Sequence, residues 1–214
     1  MTQQTICIID LGSGNLRSVA KAVQSVAGAN QKVIVSDQEQ DIRSCHHLIM
    51  PGQGAFATCK QAMEPLRDAL EGAIMREQKP FMGICVGMQL LADQGLEHGS
   101  HQGLGWIKGQ VVGLNPQPEG CKTPLKIPHI GWNDLNIDRP HPVMQGLATG
   151  QHVYFVHSYH YVLDNAQHAV AHTNYGQKIT AAIAKDNIFA GQFHPEKSQH
   201  NGLKIIQNFL QWCP

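Results

Sequence analysis

A cysteine set among glycines, in Gly83-Ile84-Cys85-Val86-Gly87, and a histidine two residues before a glutamate, in Phe193-His194-Pro195-Glu196, are the side chains best suited to covalent catalysis. A cysteine nucleophile needs a base to take and return its proton, and the base needs a carboxylate to orient it. Cys85, His194 and Glu196 meet those needs as nucleophile, base and orienter. Residues two apart on an extended segment face the same way, so His194 and Glu196 are expected on one side of the chain, with Pro195 suited to a strand end. The cysteine run has the shape of a nucleophile elbow between a strand and a helix, where glycines relieve crowding around a strained central residue. It also sets the sulfur by a helix N-terminus, a setting that favours thiolate over thiol. Alone, each motif has a plainer meaning: a small buried cysteine in a glycine-rich turn, and a solvated turn at His-Pro-Glu. Together they describe a reactive thiol.

Two further stretches accompany that thiol. In Pro51-Gly52-Gln53-Gly54 the glycines let backbone amides turn toward a bound group, as an oxyanion hole requires; an ordinary tight loop is the alternative. Gln89, four residues after Cys85, shares its helical face one turn on, within reach of a substrate at the sulfur or of a neighbouring loop that it caps.

The elements that must position these residues alternate in the first half. Residues 5–10 read as a buried strand and 11–14 as a turn. A helix over 15–27 follows, with Leu16, Val19, Ala20, Val23 and Val26 on one face. Strands are predicted at 32–36, 47–50 and 80–84, a helical stretch following the 51–54 turn through about Glu77, and a helix from Gly87 to Ala92. This alternation implies an α/β fold, a mostly parallel central sheet flanked by helices, with functional loops at the carboxyl ends of the strands. From about Gly103 the texture turns to strand and turn, adding antiparallel strands. These are predicted at 106–114, 134–137, 153–162, 169–173, 179–185 and 189–194, with Asp186-Asn187 a hairpin tip. A closing helix runs over 202–212, with Leu203, Ile206, Phe209 and Leu210 inward. No repeat or linker interrupts the chain, so one continuous domain over 1–214 is expected.

Apolar residues make up 42% of the 214 and charged residues 15%, a globular composition. The formal net charge is zero, which argues against a surface built for nucleic acid or anionic lipid. No apolar run approaches the ~20 residues that span a bilayer, and the N-terminus lacks a signal-peptide pattern. Six scattered cysteines without a C-x-x-C read as reduced thiols in a cytoplasmic protein. Among 13 histidines, His157 and His160 are expected on opposite faces of a strand and His46 and His47 diverge. No set has four-ligand metal spacing, and no metal or cofactor is expected.

Gly83 to Gln89, His194 to Lys197 and Pro51 to Gly54 together resemble the class I, triad-type glutamine amidotransferases, a flavodoxin-like family. The segments 10–15, 128–133 and 154–159 are similar to those of its members that serve as glutaminase subunits of imidazole glycerol phosphate synthase. The resemblance runs from residue 6 to about 212. It implies that Cys85 attacks the side-chain amide of glutamine and that Gly52, Gln53, Gly54 and Val86 surround the oxyanion. It further implies that Gln89, His157, Ser158 and Tyr159 hold the amino-acid end. Ammonia would pass to a (β/α)8 cyclase subunit, which Asn15, Trp132, Tyr154 and Lys197 would face. Read as residues alone, Trp132 is equally a core anchor, Lys197 a solvated cation and Asn15 a helix cap. Gln53 and Val86 depart from the family pattern, in which an aliphatic residue and a leucine are usual. Three competing readings remain: an amidotransferase feeding another synthase, a catalytically silent module, and a thiol peptidase.

Overall fold

The computed structural model describes residues 3–12, 15–120 and 123–214; the expected turn residues Ser13 and Gly14, and Cys121, lie outside them. Thirteen strands are described: β1 (Gln4–Ile9), β2 (Gln31–Ser36), β3 (His47–Gly52), β4 (Phe81–Cys85), β5 (Gln94–Gly95), β6 (His101–Gln102), β7 (Gly109–Gly113), β8 (His129–Ile137), β9 (Gln151–His157), β10 (Tyr159–Leu163), β11 (Ala169–Asn174), β12 (Lys178–Lys185) and β13 (Ile188–Gly191). The helices are α1 (Leu16–Val26), α2 (Glu39–Ser44), α3 (Phe56–Met63), α4 (Arg67–Leu70), α5 (Val86–Gln89) and α6 (Gln199–Gln211).

Nine strands form one sheet in the order β2-β1-β3-β4-β13-β12-β11-β8-β9. The first five are mutually parallel and the rest antiparallel. The parallel strands are near-continuous apolar runs, as burial on both faces requires: every residue of β3, β4 and β13 is buried. The step from β1 to β2 runs one way along the sheet and the step from β2 to β3 the other. Right-handed crossovers therefore put α1 and α2 on opposite faces. Accordingly α6 packs on α1, and α2 packs on α4. A second sheet, β10-β7-β5-β6, sits beside the first.

Several sequence expectations change in detail. The strand expected over 153–162 is two strands. At the Ser158 bend the chain leaves β9, where His157 pairs with His129, and enters β10, where Tyr159 pairs with Gly113 of the second sheet. The helical stretch to Glu77 is broken by a 3₁₀ turn at Glu64–Leu66, because Pro65 has no N–H to continue an α-helix. It ends in wide turns over Glu71–Arg76, where Glu77 N–H reaches back to the Gly72 carbonyl. The helix expected to Ala92 stops at Gln89, since the carbonyls of Leu90 and Ala92 are taken by the N–H groups of Leu104 and Gly105. Segment 39–44, unassigned in sequence, is α2. Ala22 joins Val19 and Val23 in the buried face of α1, and Ile205 joins that of α6.

Candidate active site

Cys85 ends β4 and opens α5, with φ +54° and ψ −111°. A non-glycine residue in this region is strained, and such strain persists only where surrounding packing over-determines it. Here the neighbours supply the constraint. Gly52 of β3 pairs beside Cys85, and a Cβ on Gly52 would lie 2.7 Å from the Gly87 nitrogen. A Cβ on Gly87 would lie 1.9 Å from the Met50 carbonyl oxygen, and one on Gly83 2.7 Å from the Gly87 oxygen. The glycines are therefore the condition for α5 to start directly against β3. The elbow places a 5% exposed thiol at the carboxyl end of the parallel sheet.

His194 reaches the same point from the far side of β4. Its N–H donates to the Tyr154 carbonyl at 2.8 Å, and the Ser198 hydroxyl donates to its carbonyl at 2.6 Å. Pro195–Lys197 then forms a 3₁₀ turn, so Glu196 comes beside the ring by a turn rather than along the expected extended chain. His194 Nδ1 and Glu196 Oε1 are 2.9 Å apart, and both side chains are buried. Cys85 and Glu196 are the two groups whose interactions bear most on the ring. Burial alone would push His194 down; the hydrogen bonds to Cys85 and Glu196, and their charge, outweigh it and raise it to about 10. The sulfur on one side and the carboxylate on the other therefore favour the protonated ring.

A cavity of about 300 Å³ opens on the sulfur. Its wall brings together Gln53, Gly54, Val86, Gln89, His157, Ser158 and Tyr159, all singled out in the sequence, with Cys85, His194 and Lys197. Gly52 is buried in β3 behind them. The Gln53 carbonyl accepts from the Cys59 thiol at 3.3 Å, which pins one side of the loop, and Gly54 has φ +96°. Gln89 Nε2 donates to the Tyr159 carbonyl at 3.1 Å and to Gln192 Oε1 at 3.0 Å. Both ring nitrogens of His157 are engaged within the protein, with the Tyr159 carbonyl and with His129. His157 therefore shapes the wall, and offers a ligand no free ring nitrogen.

Two residues of the site were not found in the sequence. Glu97 lines the cavity, with Oε2 accepting from the Phe56 N–H at 2.6 Å; a carboxylate on a loop ten residues past the elbow has no periodicity to mark it. Gln192 is fully buried and its Nε2 lies 3.6 Å from the Cys85 sulfur. Its place two residues before His194 was the available signal.

Trp132 and Tyr154 face each other across β8 and β9, with ring centroids 5.9 Å apart, and Lys197 lies over the Tyr154 ring at 5.8 Å. Trp132 is 46% exposed, which removes the core-anchor alternative. Lys197 belongs both to this patch and to the cavity wall. Asn15 caps α1, its side chain accepting from the Ser18 N–H at 3.3 Å, and α1 packs on the Pro195–Lys197 turn. Among the described residues no cluster of histidine, cysteine, aspartate or glutamate could hold a metal, and no helix is long and apolar enough to cross a membrane.

Comparison with known proteins bears on this geometry at two levels. Residues 7–212 match the family described as glutamine amidotransferase class-I. The solved structure of a glutamine amidotransferase, 18% identical, superposes with a TM-score of 0.69 over 96% of this chain and 97% of that one. Another, from Thermotoga maritima, is 13% identical with a TM-score of 0.63, over 99% of this chain and 84% of that one. These two likenesses establish the fold. The imidazole glycerol phosphate synthase subunit HisH of Cereibacter sphaeroides is 47% identical over 97% of this chain and 98% of its own length. The protein of that name from Zymomonas mobilis is 45% identical over 98% of this chain and 97% of its own length. The chain belongs to the class-I glutamine amidotransferases and, within them, to the family of the imidazole glycerol phosphate synthase subunit HisH.

Proposed function

We propose that this chain is the glutaminase subunit of an imidazole glycerol phosphate synthase, hydrolysing glutamine and passing the ammonia to a (β/α)8 cyclase. The observation that carries the reading is a strained, buried Cys85 joined to the His194–Glu196 pair at the mouth of a cavity sized for one amino acid.

Cys85 attacks the side-chain carbonyl carbon of glutamine, forming a C–S bond and a tetrahedral oxyanion. Amides of the Gly52 to Gly54 loop and of Val86 face that oxygen. His194 gives its proton to the amide nitrogen, the C–N bond breaks, and ammonia leaves a γ-glutamyl thioester. Water, deprotonated by His194, attacks the thioester, and cleavage of the C–S bond returns the proton to sulfur and releases glutamate. Glu196 keeps the proton-free nitrogen of the neutral ring toward Cys85 and stabilises the imidazolium. Glu97 and the Gln89 Oε1 supply negative charge and an acceptor for the substrate α-ammonium, and the Ser158-Tyr159 bend borders its carboxylate.

The patch of Trp132, Tyr154 and Lys197, with Asn15 at the start of α1, is the proposed face for the cyclase, forming a heterodimer. A half-exposed tryptophan beside a tyrosine has the composition of an interface hot spot. Histidine biosynthesis in the cytoplasm, by one catalytic domain over 1–214, follows from this reading. Near-full-length similarity to HisH proteins supports it over an amidotransferase serving another synthase. The test is glutamate release by the purified chain with and without a copurified (β/α)8 partner and its nucleotide substrate. Glutamine-dependent formation of imidazole glycerol phosphate by the pair is expected; a pair that forms the product from ammonium salts but never from glutamine overturns the reading.

A further inference from the structure

One buried chain of hydrogen bonds runs from β8, beside the exposed Trp132, to the Cys85 sulfur. Asn133 Nδ2 lies 3.2 Å from His129 Nε2; His129 Nδ1 lies 2.9 Å from His157 Nε2; His157 Nδ1 lies 2.9 Å from the Tyr159 carbonyl oxygen. That oxygen also accepts from Gln89, which donates to Gln192, which donates to Cys85. His129, His157, Gln89 and Gln192 are all buried.

The donor directions are fixed from one end. A carbonyl oxygen only accepts, so His157 carries its proton on Nδ1 and presents Nε2 as an acceptor. His129 must then donate from Nδ1 and accept at Nε2, where the Asn133 amide donates. The Asn133 oxygen is itself taken by the Asp134 N–H at 2.9 Å, which sets the amide this way round. Burial pushes His129 down to about 4 and His157 to about 3, so near neutral pH each ring has one donor and one acceptor. His129 is further clamped between Phe155 and Tyr175, with ring centroids at 4.9 and 4.0 Å and near-parallel planes.

We propose that His129 and Gln192 are positioning residues, the two halves of a single hydrogen-bonded chain that holds the Tyr159 wall and the Cys85 sulfur in register with strand β8. Neither need touch substrate. Gln192 steers the sulfur, while His129 acts through His157 on the carbonyl that anchors Gln89. The proposal deepens the reading of Cys85 as the reacting thiol, and its consequence is that a displacement of β8 by a bound partner is transmitted to the nucleophile.

The first test needs no variant and no substrate. In ¹⁵N NMR of the full chain labelled at histidine, His129 and His157 should both carry the proton on Nδ1; an Nε2–H form at either position breaks the chain and overturns the proposal. The second test is a double-mutant cycle in the complex with the (β/α)8 partner. His129→Phe keeps the stacked ring without its nitrogens, and Gln192→Met keeps the length without the donor. Each should lower kcat/KM for glutamine about tenfold or more, the size expected when a buried polar group loses its partner. The double variant should be little worse than the weaker single, since both act on one chain. Effects that multiply, with each variant folded by circular dichroism, overturn it. The rate of Cys85 alkylation by iodoacetamide, read by peptide mass, separates this outcome from failure of the glutaminase reading. His129→Phe should change that rate severalfold, and an unchanged rate refutes transmission to the sulfur.

Discussion

Replacing Glu196 by glutamine removes a charge where nothing nearby can compensate. The side chain is 2% exposed, its Oε1 is bonded to His194, and Oε2 is buried with no hydrogen-bond partner. Glutamine has two ways to sit there. With its oxygen toward His194, the new NH₂ group occupies the Oε2 position and becomes an unsatisfied buried donor. With the amide turned over, NH₂ faces Nδ1 and the imidazole proton moves to Nε2, so the ring can no longer take a proton from sulfur or water. In either arrangement the imidazolium loses a charge-assisted bond of about 1.5–3 kcal/mol, equivalent to about 10- to 150-fold in kcat. The interactions that raise His194, with Cys85 first and with Glu196, make a pH prediction. His194 is raised from 6.5 to about 10, so its protonation stabilises the fold fully below pH 6.5, and that contribution is lost as pH rises through about 10. The assay is glutamate release by the complex at saturating glutamine, with thermal melting of the chain recorded over the same pH range. Glu196→Gln should lower kcat and flatten the alkaline fall in melting temperature. A variant with wild-type kcat and a wild-type pH slope would refute the orienting role.

Three further substitutions probe other parts of the account. Gly87→Ala drives a methyl into the Met50 carbonyl and should destabilise by about 3 kcal/mol, the upper range for overpacking, lowering Tm by roughly 6–12 °C on calorimetry. Trp132→Ala should leave Tm unchanged but weaken partner affinity about 30-fold or more by titration calorimetry, as truncation of a hot-spot aromatic does. Glu97→Gln should raise KM for glutamine about tenfold with kcat nearly constant, since the amide oxygen can still accept from the Phe56 N–H while the charge offered to the substrate ammonium is lost.

The central parallel strands were legible because β3, β4 and β13 are apolar on both faces, and α1 because of its clear period; the short α2 has no such period and was not. The elbow was legible because Gly83 and Gly87 are demanded by backbone approach, and such glycines survive as a local pattern. What sequence could not convey was anything set by a distant strand. The switch of sheets at Ser158 depends on partners at His129 and Gly113, and no residue between 153 and 162 breaks the alternation of a single strand. Glu196 does lie beside His194, but by a 3₁₀ turn held by Ser198 and not by the alternation of an extended chain. Glu97 was missed because it acquires meaning only from a neighbour about 40 residues away, and Gln192 because its one local hint, a place two residues before His194, says nothing of the sulfur about 100 residues away that it contacts.

The central claim is that the Cys85 sulfur forms the bond to glutamine. Cys85→Ala, assayed in the complex with its cyclase, should release no glutamate above background while still forming imidazole glycerol phosphate at the wild-type rate from ammonium salts. Persistent glutamate release by a homogeneous Cys85→Ala preparation would contradict it.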